Sequence, residues 1–339
     1  MKKWYNMDAK ESDVVLSTRV RIARNLEHLP FEAKITPRQS AELNGLVQGA
    51  LQNINLGENV LDYYAGADIN NTAAMAYIER HIVSPAFAQH MENAALLLSK
   101  DEGISIMVGE EDHIRIQVLR SGLSLEGALE LANRLDDVLD ETLDYAFDEE
   151  LGYLTSCPTN LGTGLRASVM LHLPALELTD AISALSGTIS KMGLTIRGTY
   201  GEGSKAKGSL YQISNQITLG LSEQVAVRNL EGIVSQIIAQ ERALRKSIVE
   251  NNPETVDRIY RAFGILKYAR MLGSDELHEL LSNIRIGISV GLLNEITIEQ
   301  VNRLEFEAGS AALMQRAGKN LPARQRDSVR AEFARELLK

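Results

Sequence analysis

The chain's single cysteine lies in Cys157-Pro158-Thr159-Asn160-Leu161-Gly162-Thr163-Gly164, a run of small residues around a proline. Glycines in such a run let backbone N–H groups approach an anion closely. A cysteine in that company, with arginine nearby, is expected to react as the thiolate. Arg166 follows and opens an alternating stretch, Arg-Ala-Ser-Val-Met-Leu-His-Leu. Arg19, Arg21, Arg115 and Arg197 lie on or beside other strand-like stretches. Residues i and i+2 of a strand share a face. Arg19 and Arg21 therefore point together, Arg166 lies with Ser168 and Met170, and Arg115 opposes Ile114 and Ile116. Each arginine alone reads as an ordinary surface residue. Five gathered on one face would repel one another unless a polyanion lay among them, and a triphosphate is the natural guest. No Gly-x-x-x-x-Gly-Lys loop exists to hold it instead.

Carboxylates flank the same stretches. Glu110, Glu111 and Asp112 precede Arg115, and Glu202 follows Arg197 in a glycine-rich segment. Phosphoryl transfer requires positioning, charge neutralisation and an acceptor for the nucleophile's proton. Paired carboxylates facing a cationic site suit a guanidinium nucleophile, which is inert while protonated. They orient it bidentately and take its proton as the new bond forms. A merely polar turn is the plainer account of Glu110–Asp112.

Elements must position these groups. Residues 17–22 alternate as a strand does. Residues 36–53 and 72–98 read as helices, with Thr36-Pro37 and Ser84-Pro85 as start signals. Ile104–Val108 and His113–Leu119 predict a hairpin around Gly109-Glu110-Glu111-Asp112. A helix capped by Ser124 follows, with Leu125, Leu129, Ala132, Leu135 and Leu139 on one face. Leu165–Leu173 and Leu194–Tyr200 are strand candidates, separated by an amphipathic helix from near Thr179. Gly198, Gly201, Gly203 and Gly208 predict a mobile loop ending in a short strand, Leu210–Ser214. Beyond Ser222 the chain reads helical: Ser222–Glu250, Pro253–Leu272, Ser274–Asn283, Thr297–Gly309 and Pro322–Leu338, with a Thr297/Gln300 capping box. The fold class is α+β: an antiparallel β-sheet flanked by helices over residues 1–250, then an all-helical C-terminal domain over 251–339.

The chain has 339 residues, 45% of them hydrophobic, enough for a large core and two domains. Its net charge of −10 disfavours direct nucleic-acid binding and suits basic protein substrates. One cysteine excludes a disulfide framework and a thiolate-rich zinc site, and fits a reducing cytoplasm. The N-terminus lacks the apolar core of a signal peptide, and Val169–Leu178 is broken by His172, Pro174 and Glu177. A soluble cytoplasmic protein with no membrane contact is expected.

The Cys157–Gly164 string resembles the signature of the phosphagen (guanidino) kinases, which transfer a phosphoryl group between ATP and a guanidine. The family's other blocks stand in order: Ser17-Thr18-Arg19-Val20-Arg21, Glu110-Glu111-Asp112-His113-Ile114-Arg115, Arg166-Ala167-Ser168-Val169 and Arg197-Gly198-Thr199-Tyr200-Gly201-Glu202. Together they span about residues 14–245. The resemblance implies ATP with Mg²⁺, the metal carried mainly by the nucleotide's phosphates. It implies that Arg19, Arg21, Arg115, Arg166 and Arg197 grip those phosphates. The nucleotide region would take in Ser17, Thr18, Val20, His81, Ala167, Ser168, Val169, Met170, Gly198, Thr199, Tyr200, Gly201 and Glu202, with His81 against adenine or ribose. Glu111 would be the base, with Glu110 the alternative; Glu202 would be the second guanidinium clamp, and Cys157 would touch the guanidine.

Ordinary members place a helical domain, with an enclosing loop, before the Ser-x-Arg-x-Arg block. Here that block begins at residue 17 and a helical extension follows residue 250. This arrangement, with Gly-Tyr-Leu-Thr-Ser-Cys-Pro-Thr-Asn and Arg-Gly-Thr-Tyr-Gly-Glu-Gly-Ser, is similar to the protein-arginine kinase branch of the family. An arginine within a polypeptide cannot enter a pocket that closes all round it. Gly109 stands where the family usually has Asn. Arg326-Asp327-Ser328-Val329-Arg330-Ala331 is similar to the motif by which that branch binds phosphoarginine for allosteric control. Arg326 and Arg330, one helical turn apart, are expected to pinch a phosphate while Asp327 holds the guanidinium. The branch implies a stress-response role: marking misfolded proteins for a Clp protease, silencing a CtsR-type repressor, stimulation by an McsA-type activator, and a homodimer formed through the helical part. Two other readings stay open, a free-arginine phosphagen kinase and a non-catalytic phosphoarginine-binding adaptor.

Overall fold

The computed structural model describes residues 1–52, 54–198 and 206–339. Chain order runs β1 (Val15–Arg24), α1 (Pro37–Leu51), β2 (Leu61–Ala65), α2 (Asn71–Glu79), α3 (Pro85–Gln89), β3 (Ala95–Ser99), β4 (Ile104–Val108), β5 (Ile114–Ser121) and α4 (Leu125–Asp140). It continues through a small hairpin, β6 (Phe147–Asp148) and β7 (Gly152–Tyr153), then β8 (Leu165–His172), α5 (Pro174–Leu178), α6 (Ala181–Ser190), β9 (Leu194–Gly198), β10 (Leu210–Asn215) and α7 (Glu223–Asn251). The rest is helical: α8 (Pro253–Tyr268), α9 (Ser274–Ser289), α10 (Ile298–Glu307), α11 (Ser310–Ala317) and α12 (Ala323–Leu337).

Eight strands form one antiparallel sheet in the order β2-β3-β4-β5-β1-β8-β10-β9. Its apolar face carries Val20, Ile22, Ile116, Val118, Ala167, Val169 and Ile213, all buried. Against that face lie α4, burying Leu125, Ala128, Leu129, Ala132, Leu135 and Leu139, and α7, burying Val227, Leu230, Val234 and Ile237. Fully burying a side chain of this size contributes about 1.5–3 kcal/mol. A second core joins α8, α9, α10 and α12 through Ile259, Leu266, Leu281, Ile284, Leu304 and Phe333. The fold is therefore α+β, with its sheet before residue 220 and helices after it.

The start signals at Thr36 and Ser84 act as expected, each hydroxyl accepting a backbone N–H, from Gln39 and Phe87 respectively. Thr297 and Gln300 complete their capping box. Ser124 does not: its side chain makes no cap hydrogen bond, and its N–H instead donates to Thr18 Oγ1 at 3.1 Å. Residues 72–98 are not one helix. The chain leaves α2 at Glu79, turns through His81 at φ +61°, and re-enters the sheet as β3. Every residue of β3 is buried. An apolar run without alternation looks the same whether it becomes a buried strand or a buried helix. The segments β2, α5 and α11 are seen only in the folded chain.

Candidate active site

The ladders place the arginines. Across β1 and β8, Arg21 pairs with Arg166 and Arg19 with Ser168. Across β1 and β5, Ala23 pairs with Arg115 and Arg21 with Gln117. Across β10, Gln212 pairs with Met170 on one side and Arg197 on the other. Directly paired residues share a face. Arg19, Arg21, Arg115, Arg166 and Arg197 therefore stand on one face of five adjacent strands, opposite the apolar core. Ser17, Ser168 and Met170 share that face, whereas Thr18, Val20, Ala167 and Val169 point into the core side and can serve a ligand only through their backbone.

The cluster feels its own charge. Burial first, then Arg166 and Arg115, lowers the Arg19 pKa to about 10. Burial first, then Arg19, Arg115 and Arg166, lowers Arg21 further. Arg166 is lowered by burial, Arg197 and Arg115, with Cys157 and Glu111 acting in the opposite sense. All three remain cationic near neutral pH. The buried Nε atoms of Arg21 and Arg166 find no partner among the described residues. A face of clustered guanidinium groups with under-satisfied buried donors fits a polyphosphate.

The acidic turn divides its labour. Glu110 is sunk, its side chain 2% exposed, and Arg115 Nη1 donates to its Oε1 at 2.6 Å. The Ser84 hydroxyl donates to the same oxygen, and the Glu111 N–H donates to Oε2 at 2.8 Å. Glu111 is 45% exposed and, among the described residues, accepts from Arg115 Nη2 at 3.0 Å. Asp112 is buried and ties the turn to the cysteine loop, accepting Ser156 N–H at 2.7 Å and Asn25 Nδ2 at 2.8 Å. His113 accepts Leu26 N–H on Nδ1 at 3.0 Å, so its Nε2 carries the proton donated to the Pro30 carbonyl at 2.9 Å. Gly109 begins the turn at φ +74°, the left-handed region that Gly and Asn both tolerate.

The cysteine loop is shaped from beneath. Thr218 Oγ1 donates to the carbonyls of Thr159 at 3.1 Å and Leu161 at 2.7 Å. Gly162, at φ +104°, packs so tightly that a Cβ would lie 2.3 Å from the Thr218 carbonyl. Arg24, a strand arginine on the core face, is 1% exposed. It donates to Asp136 and to the Thr163 carbonyl at 2.9 Å, with its guanidinium 3.4 Å over the Tyr153 ring. Cys157 is half-buried, its Sγ 3.0 Å from Thr159 Oγ1, at the same mouth as Glu111 and Arg166.

His81 lines the Ser17 end of the arginine face with Arg19, Leu119, Ser168, Met170 and Gln212. Burial and the neighbouring Arg19 lower its pKa to about 4, so it is a neutral imidazole. Gln212, which the sequence does not single out, accepts Arg19 Nη2 at 3.0 Å. Its only advance signal is its place on the expected strand Leu210–Ser214. Gly198 closes β9 next to Arg197. Thr199, Tyr200, Gly201 and Glu202 lie outside the described residues. Among the described residues no cluster of three or more His, Cys, Asp or Glu could hold a metal ion, and no helix is long and apolar enough to cross a membrane.

The Arg326–Ala331 motif lies on α12, remote in the sequence from the sheet. Its two arginines differ. Arg330 is 1% exposed, its Nε donating to the Ala308 carbonyl at 3.0 Å and its Nη1 to the Leu272 carbonyl and Asp327 Oδ1, both at 2.7 Å. Arg326 is half-buried and donates to the Leu321 carbonyl at 2.9 Å. Arg330 is thus engaged beneath the surface and Arg326 lies nearer solvent. Ala331 is wholly buried.

Residues 42–244 match the ATP:guanido phosphotransferase C-terminal catalytic domain, and residues 252–339 match the protein-arginine kinase McsB C-terminal domain. The chain is 43% identical to a protein-arginine kinase of Clostridium acetobutylicum over all of both chains. It is 45% identical to one of Halalkalibacterium halodurans, over 99% of this chain and 95% of that one. Among solved structures it resembles the duplicated taurocyamine kinase of Schistosoma mansoni, with a TM-score of 0.61 and 28% identity over 67% of this chain. The match spans about a third of that duplicated enzyme, 33% of its chain.

Proposed function

Since the chain belongs to the ATP:guanido phosphotransferase family and carries the McsB-type C-terminal domain, we propose that it is a protein-arginine kinase. It moves the γ-phosphoryl group of ATP to arginine side chains of proteins. One observation carries this reading: five strand-borne guanidinium groups share a face whose rim holds the accessible Glu111 and Cys157.

The arginines pre-organise the triphosphate and offset charge developing on the transferring group. Mg²⁺ would be carried mainly by the nucleotide rather than by protein side chains, and would supply further charge neutralisation. Glu111 orients the incoming guanidinium and accepts its proton, Glu202 is the second clamp, and Cys157 faces the guanidine. A substrate nitrogen forms a bond to the γ-phosphorus while the bond to the β–γ bridging oxygen breaks. Its electron pair leaves with ADP, and the proton passes to the Glu111 carboxylate. Glu110, already engaged three ways, positions Arg115 rather than accepting that proton.

The regulatory reading is ours on the same footing. Phosphoarginine binds at the Arg326–Ala331 motif, with Arg326 and Arg330 on the phosphate and Asp327 on the guanidinium. A Clp protease consumes the marked proteins, misfolded chains and a CtsR-type repressor are substrates, an McsA-type activator stimulates, and the helical part forms a homodimer. The reaction takes place in the cytoplasm under stress.

Incubation with ATP and a basic protein, followed by phosphoarginine mapping, tests the activity. Wild type marks protein arginines, and Glu111→Ala loses a factor of about 10²–10⁴. Label on free arginine alone supports the phosphagen kinase reading. No transfer at all, with tight phosphoarginine binding, supports the adaptor.

A further inference from the structure

Between the arginine face and the helical domain runs a cleft whose two halves meet at His81 and Met170. One half adjoins Arg19. The other is walled by Leu16 and Leu210 on the sheet side and, across from them, by Leu277 of α9, Phe306 of α10 and the 308–310 turn. Phe306 stands edge-on to His81 with 6.0 Å between ring centroids. Phe306 is itself fixed from behind, 5.0 Å from both Trp4 and Tyr5. In the same half, His278 Nδ1 lies 3.0 Å from Glu305 Oε1. Apolar walls with a few convergent polar atoms are what a flat heteroaromatic ring requires.

The helical wall is clasped to the catalytic sheet. Glu79, the last residue of α2, accepts Ala311 N–H at 2.9 and 3.1 Å and Ala312 N–H at 3.0 Å, a carboxylate on the positive end of α11. Gly309 passes so close that a Cβ would lie 2.3 Å from Glu79 Oε2. Arg330 holds the preceding carbonyl, Ala308, from the other side. His81 follows Glu79 by two residues. The wall and the imidazole are thus fixed to a common short segment.

We propose that the helical domain completes the nucleotide's base pocket, with Phe306 and Leu277 packing on the purine and the Glu305–His278 pair reading its edge, while Glu79 keeps that wall in register with His81. This inference rests on the ATP-dependent reading above. Once the arginines fix the triphosphate, the base extends past Arg19 toward Met170 and into this cleft. A carboxylate there can accept an N–H from the ring's amino group.

The test uses the full-length protein and compares ATP with tripolyphosphate, a probe with the charge but no base. Phe306→Ala raises the KM for ATP about tenfold, keeps kcat within about twofold and leaves tripolyphosphate inhibition unchanged. Glu305→Gln and Glu79→Gln each raise the KM for ATP without changing inhibition by the probe. Leu277→Ala carries the same test should Phe306→Ala fail to fold. Folded Phe306→Ala and Leu277→Ala proteins with wild-type KM for ATP overturn the proposal. Arg166→Ala, run alongside, separates the two levels. If it binds tripolyphosphate normally, the phosphotransferase reading fails; if it loses the probe while the base-wall variants behave as wild type, only the base wall fails.

Discussion

Glu110 and Glu111 are neighbours in sequence and unlike in situation. Both Glu110 oxygens are occupied, by Arg115, Ser84 and a backbone N–H, so a proton placed there breaks contacts that align Arg115. Glu111 has one ion-pair partner among the described residues and is 45% exposed. A base must reach its proton and give it up again, which Glu111 can do. Glu111→Gln is expected to reduce kcat about 10²–10³-fold with little change in KM for ATP, whereas Glu110→Gln raises that KM because Arg115 loses its alignment. Steady-state kinetics on the two variants reads the difference, and a matched loss of kcat in both undoes the assignment. Two glycines supply a second contrast. Asn at Gly109 keeps a left-handed turn in ordinary contact with Ala94, and Gly109→Asn is expected to leave the melting temperature nearly unchanged. Ala at Gly162 collides with the Thr218 carbonyl beneath the cysteine loop, and Gly162→Ala lowers the melting temperature and activity together.

At the scale of elements, β8 is the connection between site and scaffold. It carries Arg166, Ser168 and Met170 along one face and ends at His172. His172 Nδ1 faces Arg245 Nη2 at 3.0 Å, and Nε2 lies 2.7 Å from Ser282 Oγ of α9. Burial first, then Arg245 and Arg285, holds its pKa well below the usual 6.5. On acidification through 6.5 the unfolded chain takes up a proton that the folded one refuses, so His172 erodes stability as pH falls below that value. His81, lowered to about 4, acts in the same sense between about 4 and 6.5. His278 is raised by Glu305, so its contribution is complete below 6.5 and disappears only as pH rises through its folded value. Denaturation at pH 5 and pH 7 is therefore expected to show the lower midpoint at pH 5, with His172→Asn flattening the dependence. An unchanged slope in that variant removes His172 as a cause. The same strand shows what the sequence could disclose. Alternation on β1, β5 and β8 exposed the arginine face because one side is polar and the other apolar. On β3 both sides are buried, so the code has no alternation to read. Side-chain partners from distant segments, such as Ser84 on Glu110 or Gln212 on Arg19, depend on contacts that no local pattern records. Likewise, the one-turn spacing of Arg326 and Arg330 does not disclose that Arg330 is buried on the Ala308 and Leu272 carbonyls.

The whole molecule is joined by its first residues. Trp4 is fully buried and packs with Tyr5, Phe306 and Leu119, so one aromatic cluster contains a sheet residue beneath the nucleotide cleft and a residue of α10. Further along, the Ser12 carbonyl accepts Arg285 Nη1 at 3.1 Å and the Asp13 carbonyl accepts Arg245 Nη1 at 3.0 Å. Asn302 of α10 donates to the Tyr5 carbonyl at 3.2 Å and accepts Arg285 Nη2 at 2.6 Å. Buried guanidinium groups deprived of such acceptors cost several kcal/mol, so this segment is a structural seam between the two cores rather than a tail. Truncating Trp4 removes its largest side chain without touching the arginine face. Trp4→Ala is expected to lose about 3–5 kcal/mol of stability. It should also split one unfolding transition into two, because the helical core no longer shares an aromatic contact with the sheet. Phe306, left without support, should raise the KM for ATP in the same variant. Denaturant titration followed by circular dichroism, with nucleotide kinetics on the same sample, measures both effects. A single transition at the wild-type midpoint would show that the seam lies elsewhere.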